Sequence, residues 1–251
     1  MTSRRTDSRD AEAPHHPGRT HRLLRAAGFA AALGLPVAAL AFVVRTESSP
    51  VVAFDEAVIA AATDLTRETP GLRHVLLAWQ EAFRGVWINP LVALLCLWVW
   101  RRHGLRTRAT WALVTLLVAW GLAQVMKQVV ARARPVVEDA VAHADGFSFP
   151  SGHATNTAAA GLTVTLLVWP LLGPRGRVAV PAVAAALVLL TAADRVLLGV
   201  HYPSDVVAGV LVGTAMVGAS YLGYVGRTPH LPQPGTSVSP ATPDDDRQAH
   251  P

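Results

Sequence analysis

Six long apolar stretches divide this chain and argue against an ordinary water-soluble fold. Each approaches the roughly 20 residues needed to cross the hydrocarbon core of a bilayer. They run from about Leu23 to Val44, Phe83 to Trp100, Thr110 to Val130, His153 to Leu172, Val178 to Val200 and Ser204 to Gly226. The second starts beside Arg84 and contains Pro90, which makes it the weakest of the six. Charged residues are only 16% of the 251, where a soluble domain carries about a quarter. The expected fold is all-α: an integral membrane bundle of six transmembrane helices occupying residues 23–226.

The two ends read differently. Residues 1–22 are polar, rich in Arg and His and without apolar periodicity, and residues 227–251 combine Pro, Ser and Thr with the run Asp244, Asp245, Asp246. Both are expected to be disordered tails, because neither can bury enough apolar surface to offset the entropy of ordering. Ala39-Leu40-Ala41 resembles a signal-peptide cleavage site, but the apolar run is long and starts more than 20 residues into the chain. The first helix is therefore expected to be retained.

Charge placement predicts an orientation. Arg4, Arg5, Arg9, Arg19, Arg22 and Arg25 lie before or at the start of the first span, and Arg101, Arg102, Arg106 and Arg108 between the second and third. Arg175 and Arg177 separate the fourth from the fifth, and Arg227 and Arg247 follow the sixth. These 14 of the 22 basic residues share one side, and 11 of the 17 acidic residues fall on the other. The positive-inside bias then places both termini in the cytoplasm. No basic stripe with interleaved aromatics occurs, so nucleic acid is not an expected partner. The connection 46–82 carries Phe54, Val58, Ile59, Ala62 and Leu65 at helical spacing; it reads as an amphipathic helix on the membrane surface or as a solvated loop. The single cysteine, Cys96, excludes an internal disulfide and a multi-cysteine zinc site.

Three polar clusters fall on the expected outer side. The first is Lys127, the only lysine in the chain, with Arg134-Pro135 at the end of span three. The second is Pro150-Ser151-Gly152-His153, where the chain turns into span four, and the third is Arg195, His201 and Asp205 between spans five and six. Lys127, Arg134 and Arg195 supply three cations, and the arginine fork matches phosphate oxygens. Ser151 and Gly152 stand at a helix start, whose N–H groups and dipole attract anions, and glycine lets a ligand approach the backbone. A carboxylate at Asp205 can fix the His201 tautomer and leave Nε2 free to attack, while His153 can donate a proton to a leaving oxygen.

Simpler readings exist for each part alone. Pro-Ser-Gly can be a turn and an N-cap, and a lone arginine at a bilayer edge is usually a snorkelling anchor, as expected for Arg84 and Arg132. Two histidines and an aspartate could also hold zinc, but no His-Glu-x-x-His pair occurs. Three complementary clusters at three helix ends on one side favour a phosphate-sized anion site served by a nucleophile and an acid, with no metal or cofactor expected.

Lys127-x6-Arg134-Pro135, Pro150-Ser151-Gly152-His153 and Arg195-x5-His201-x3-Asp205 together resemble the three-part signature of the type-2 phosphatidic acid phosphatase superfamily. The resemblance implies His201 as nucleophile, Asp205 as its orienting partner and His153 as general acid. It assigns Lys127, Arg134, Ser151, Gly152 and Arg195 to phosphate binding, and it implies a lipid phosphate substrate hydrolysed without a metal at the cell membrane. One departure is Asp194, where the family commonly has serine; a carboxylate there can pair with Arg195 or repel an anion. A phosphotransferase and a non-catalytic lipid-phosphate binder or transporter are the alternatives, and no residue pattern fixes an oligomeric state.

Overall fold

The computed structural model describes residues 18–47, 50–136, 142 and 144–224; the expected C-terminal tail and residues 1–17 lie outside the described residues. Among the described residues the chain forms eight α-helices and one 3-10 turn, Trp169–Leu171, with no strand. α1 (Arg19–Arg45), α4 (Gly85–His103), α5 (Arg106–Val130), α6 (Gly152–Val168), α7 (Pro174–Leu197) and α8 (Pro203–Tyr224) correspond to the six apolar stretches. The all-α expectation holds. α1 starts at Arg19, inside the segment expected to be tail; long Arg and His side chains let a helix continue past its apolar stretch while their heads stay in water.

Five of these helices are long and apolar enough to cross a membrane unaided. The sixth span exists only if α4 is joined to α3 (Pro70–Ala82), from which it is bent by 50°. Asn89 and Pro90 in its first turns and Arg101-Arg102 in its last shorten the apolar length of α4, which is why this stretch was the weakest in the sequence.

α8 is central, with α1 and α6 packed on it, α5 and α7 packed on α6, and α4 on α5. In lipid no hydrophobic force drives helix against helix, so close contact depends on small residues. α8 supplies Gly209 and Gly213: a Cβ on the first would sit 2.7 Å from the Ser151 carbonyl oxygen, and on the second 2.6 Å from that of Thr155. The facing residues of α6, Ala154, Thr155, Ala158 and Ala159, are buried. This tight seam fixes the N-terminus of α6 beside the N-terminus of α8. Because α5 to α8 alternate in direction, the C-termini of α5 and α7 meet them at the same end.

The connection after α1 is neither a loop nor a single surface helix. It forms α2 (Pro50–Glu68) and α3, separated at Thr69-Pro70, with Pro70 at the first helical position where its missing N–H costs nothing. Phe54 and Leu65 of the expected apolar stripe are exposed, while Asp55, Ile59, Thr63 and Thr66 are buried. α2 packs on α7 and α8 and α3 packs on α7. Thr66 Oγ1 donates to the Leu197 carbonyl at 2.8 Å, and Trp79 Nε1 to Thr191 Oγ1 at 3.1 Å. The helical half of the expectation holds over α2, whose apolar stripe faces outward at Phe54 and Leu65, while its buried face is largely polar, and periodicity of apolar residues is blind to that face.

Candidate active site

The three clusters converge where the four helix ends meet. Ser151 donates its backbone N–H to the Asp205 carbonyl at 2.9 Å, which joins the second cluster to the third. A Cβ on Gly152 would lie 3.7 Å from Lys127 Cε, so the lysine stem passes directly over the glycine at the start of α6. Lys127 Nζ donates to the Phe147 carbonyl at 2.6 Å. Arg134 donates to the carbonyls of Val200 (2.8 Å), Asp145 (2.9 Å) and Gly146 (3.0 Å), and its Nη1 lies 3.2 Å from His201 Nε2. Gln80 of α3 ties the remaining pair: its carbonyl lies 3.2 Å from His153 Nε2, and its Oε1 accepts from Arg195 Nη1 at 2.9 Å. All eight residues singled out in the sequence belong to one site.

His201 is carried there by a turn after α7. Gly199 adopts φ +72°, in the left-handed region that a side chain disfavours. The turn lets the N–H groups of Val200 and His201 bond back to the Arg195 carbonyl at 3.2 and 3.3 Å. Nucleophile candidate and cation are thereby fixed by one local fold.

The orientation of the ring differs in detail from the expectation. His201 Nδ1 lies 3.6 Å from Asp205 Oδ2, too far for a direct hydrogen bond. Ser148 Oγ sits between them, 3.3 Å from Nδ1, and donates its single proton to Asp205 Oδ2. Nδ1 therefore carries the hydrogen, donated to Ser148, and Nε2 keeps its lone pair toward Arg134. Asp205 is held in turn by the Tyr202 N–H at 3.0 Å and by Arg132 Nη1 at 2.7 Å.

Arg132 is not the snorkelling anchor expected from sequence. It is 9% exposed and bridges Asp205 and Asp55, with Nη2 to Asp55 Oδ2 at 2.8 Å and Nη1 to Ser204 Oγ at 2.8 Å. Its guanidinium also lies 4.1 Å from the Tyr202 ring centroid. Asp55 accepts the Ser204 N–H at 2.9 Å, so a carboxylate from α2 caps the positive end of α8. Ser148, Arg132, Asp55, Ser204 and Gln80 were missed in the sequence; only Ser148, two residues before the Pro-Ser-Gly-His turn, carried a local signal.

Burial lowers the His201 pKa to about 4 from its ordinary 6.5, against the opposing pull of Asp205. The ring is therefore neutral near pH 7. Burial also lowers that of Arg134, with the Arg195 charge adding to it, though a guanidinium stays protonated. Arg195 donates through Nε to Asp194 Oδ2 at 2.8 Å and through Nη2 to the same oxygen. Asp194 thus pairs with the arginine. Ser151 Oγ is fully buried with no partner, an unused donor inside a ring of cations. Among the described residues no group of three or more His, Cys, Asp or Glu could hold a metal ion.

The chain is similar to known proteins in sequence and in fold. The family model described as the PAP2 superfamily matches residues 108–229. A decaprenylphosphoryl-5-phosphoribose phosphatase of Mycobacterium tuberculosis is 43% identical over 105 residues, covering 41% of this chain and 52% of that one. Phosphatidylglycerophosphatase B of Bacillus subtilis is 33% identical over 113 residues, covering 42% and 55%. The chain spans about half the length of these relatives. The crystal structure of a transmembrane PAP2-type phosphatidylglycerolphosphate phosphatase from Bacillus subtilis superimposes with a TM-score of 0.69 at 25% identity, over 76% of this chain and 94% of that one.

Proposed function

We propose, for a chain whose residues 108–229 match the PAP2 superfamily model, an integral membrane phosphatase that removes the terminal phosphate of a lipid phosphate or diphosphate. Phosphatidic acid, phosphatidylglycerol phosphate and polyprenyl diphosphate are its candidate substrates. The observation that carries this reading is His201, neutral and buried, with Nδ1 committed to Ser148 and Nε2 turned toward Arg134. An imidazole so held is a nucleophile aimed at a cation-lined pocket.

Nε2 attacks phosphorus, the bond to the ester oxygen breaks, and His153 gives that oxygen a proton. The Gln80 carbonyl at His153 Nε2 stabilises the charged ring and leaves Nδ1 for the transfer. Water then attacks the phosphohistidine, His153 takes the water proton, and inorganic phosphate leaves. Lys127, Arg134, Arg195, Ser151 Oγ and the first-turn N–H groups at Gly152 hold the phosphoryl oxygens. A lipid is favoured because an apolar cavity of about 350 Å³, lined by Phe83, Ile88, Thr157 and Val164 among others, begins one helical turn from His153. The arginine-rich connections lie at the opposite end of the bundle, which supports an extracytoplasmic site with cytoplasmic termini.

Purified protein in detergent, offered a panel of lipid phosphates in the presence of EDTA, is expected to release inorganic phosphate. Its kcat/KM should fall as pH drops toward about 4, where His201 gains the proton that blocks attack. Stability should decline over the same range, since an unfolded chain takes up this proton near 6.5 and the folded one only near 4. Silence toward every lipid, or phosphate passed to an acceptor other than water, overturns the reading.

The Asp194 carboxylate neutralises one phosphate-binding cation. Asp194→Ser is therefore expected to tighten inhibition by inorganic phosphate about threefold to tenfold, a modest gain of the size one charge-assisted contact provides. An unchanged or weaker inhibition constant means Asp194 is needed to hold Arg195 in place.

A further inference from the structure

A second cavity adjoins the site at Gly152 and His153. It has a volume of about 220 Å³ and opens between the start of α4 and the facing turns of α5 and α6, with His153, Gly152, Asn156, Gln124, Trp120 and Arg84 on its walls. Asn156 stands one turn beyond His153 on α6, is 3% exposed, and has no partner for either its amide nitrogen or its amide oxygen. Asn89 Oδ1 is likewise buried without a partner. These groups converge on Gly85: from where a Cβ would stand there, Asn89 Nδ2, Asn156 Nδ2 and Trp120 Nε1 lie 3.5, 3.6 and 3.7 Å away. The glycine leaves a small space walled by donors and acceptors.

We propose that this cavity is a subsite for the hydroxyl groups of the departing alcohol, so that the preferred substrate carries its phosphate on a hydroxylated headgroup, glycerol or a sugar. This rests on the phosphatase reading above. The placement follows from the chemistry: His153 protonates the leaving oxygen, so whatever His153 shares a cavity with is the alcohol side of the ester. Carboxamides offer a donor and an acceptor each, and so does every hydroxyl; the one arginine on the wall, Arg84, is already paired with Glu81 at 3.1 Å, and a hydrocarbon would leave the amides dried and unpaired. A site built to bond a hydroxyl discriminates strongly against the analogue that lacks it.

The test compares kcat/KM of the full-length protein in lipid nanodiscs for three lipids of equal chain length. Phosphatidylglycerol phosphate and a lipid-linked pentose 5-phosphate have hydroxyls beside the scissile ester, and phosphatidic acid has none. The unmodified protein is expected to prefer at least one of the first two by about tenfold or more, and the preferred arm identifies glycerol or sugar. Asn156→Ala is expected to reduce that preference about tenfold, the size of one lost hydrogen bond to a buried partner. Gln124→Ala, on the exposed face of α5, gives a second reading that does not disturb the core. A preference below twofold in the unmodified protein, or one that survives in both variants, overturns the subsite while leaving the phosphatase reading intact. Failure to hydrolyse any of the three also overturns the subsite, whereas the phosphatase reading falls only if polyprenyl diphosphate is refused as well.

Discussion

His201→Ala is expected to abolish phosphate release, by on the order of 10⁴-fold or more, while the protein remains folded. The magnitude follows from what the imidazole does in the proposed sequence: it forms and then loses the bond to phosphorus, and nothing else in the pocket can. Lys127, Arg134 and Arg195 are protonated cations, Asp205 is 0% exposed behind Ser148, and Ser151 has no base at its hydroxyl. The fold should survive because the ring's hydrogen-bond contacts are those to Ser148 at 3.3 Å and Arg134 at 3.2 Å, and Arg134 keeps its three carbonyl partners. Losing them costs about 1–3 kcal/mol, against a bundle whose helix seam at Gly209 and Gly213 is untouched. Rapid quenching with labelled substrate adds a direct check, since a phosphohistidine is labile in acid and stable in base. Label retained by the unmodified protein and absent from the variant supports the covalent route. Release from the variant within a few-fold of normal would end it.

Much of this arrangement is legible in the sequence, and the part that is not shares one cause. Lys127, Arg134, Ser151, Gly152, His153, Arg195, His201 and Asp205 lie at helix ends whose alternation along the chain already implied that they meet. Their partners were hidden because each comes from a stretch with its own ordinary explanation. Asp55 and Gln80 belong to α2 and α3, which the apolar pattern described only as a surface helix or loop. Arg132 is separated from Asp55 by 77 positions and from Asp205 by 73, and no local spacing announces a pair at that range. Asp194 was visible as a departure, but pairing and repulsion were equally consistent with its charge until its carboxylate was seen on the Arg195 guanidinium. The α3–α4 bend was foreshadowed by Arg84 and Pro90, yet only geometry turns a weak apolar stretch into half of a broken span.

Arg132→Met is expected to lower stability by about 3–5 kcal/mol, the usual cost of removing one member of a buried ionic network, and to reduce activity with it. Burial works against the guanidinium charge, but Asp205 and Asp55 overcome it and raise the Arg132 pKa. Methionine fills a similar volume and leaves both carboxylates in place without a counterion: Asp55 and Asp205 are each 0% exposed. Asp55 retains the Ser204 N–H, and Asp205 the Ser148 hydroxyl and the Tyr202 N–H, so the helix cap persists while the charge does not. Asp205 then loses its anchor toward Arg132, and the Ser148–His201 chain loses its fixed end. Arg132→Lys should fall between the two, because one ammonium cannot reach Asp55, Asp205 and Ser204 in the planar fork that the guanidinium provides. Thermal unfolding in detergent, read beside phosphate release, checks both effects. A melting temperature within about 1 °C of the unmodified protein, a change of only a few tenths of a kcal/mol, would return Arg132 to the role of a simple membrane-edge anchor and remove the α2 carboxylate from the account of how the site is held.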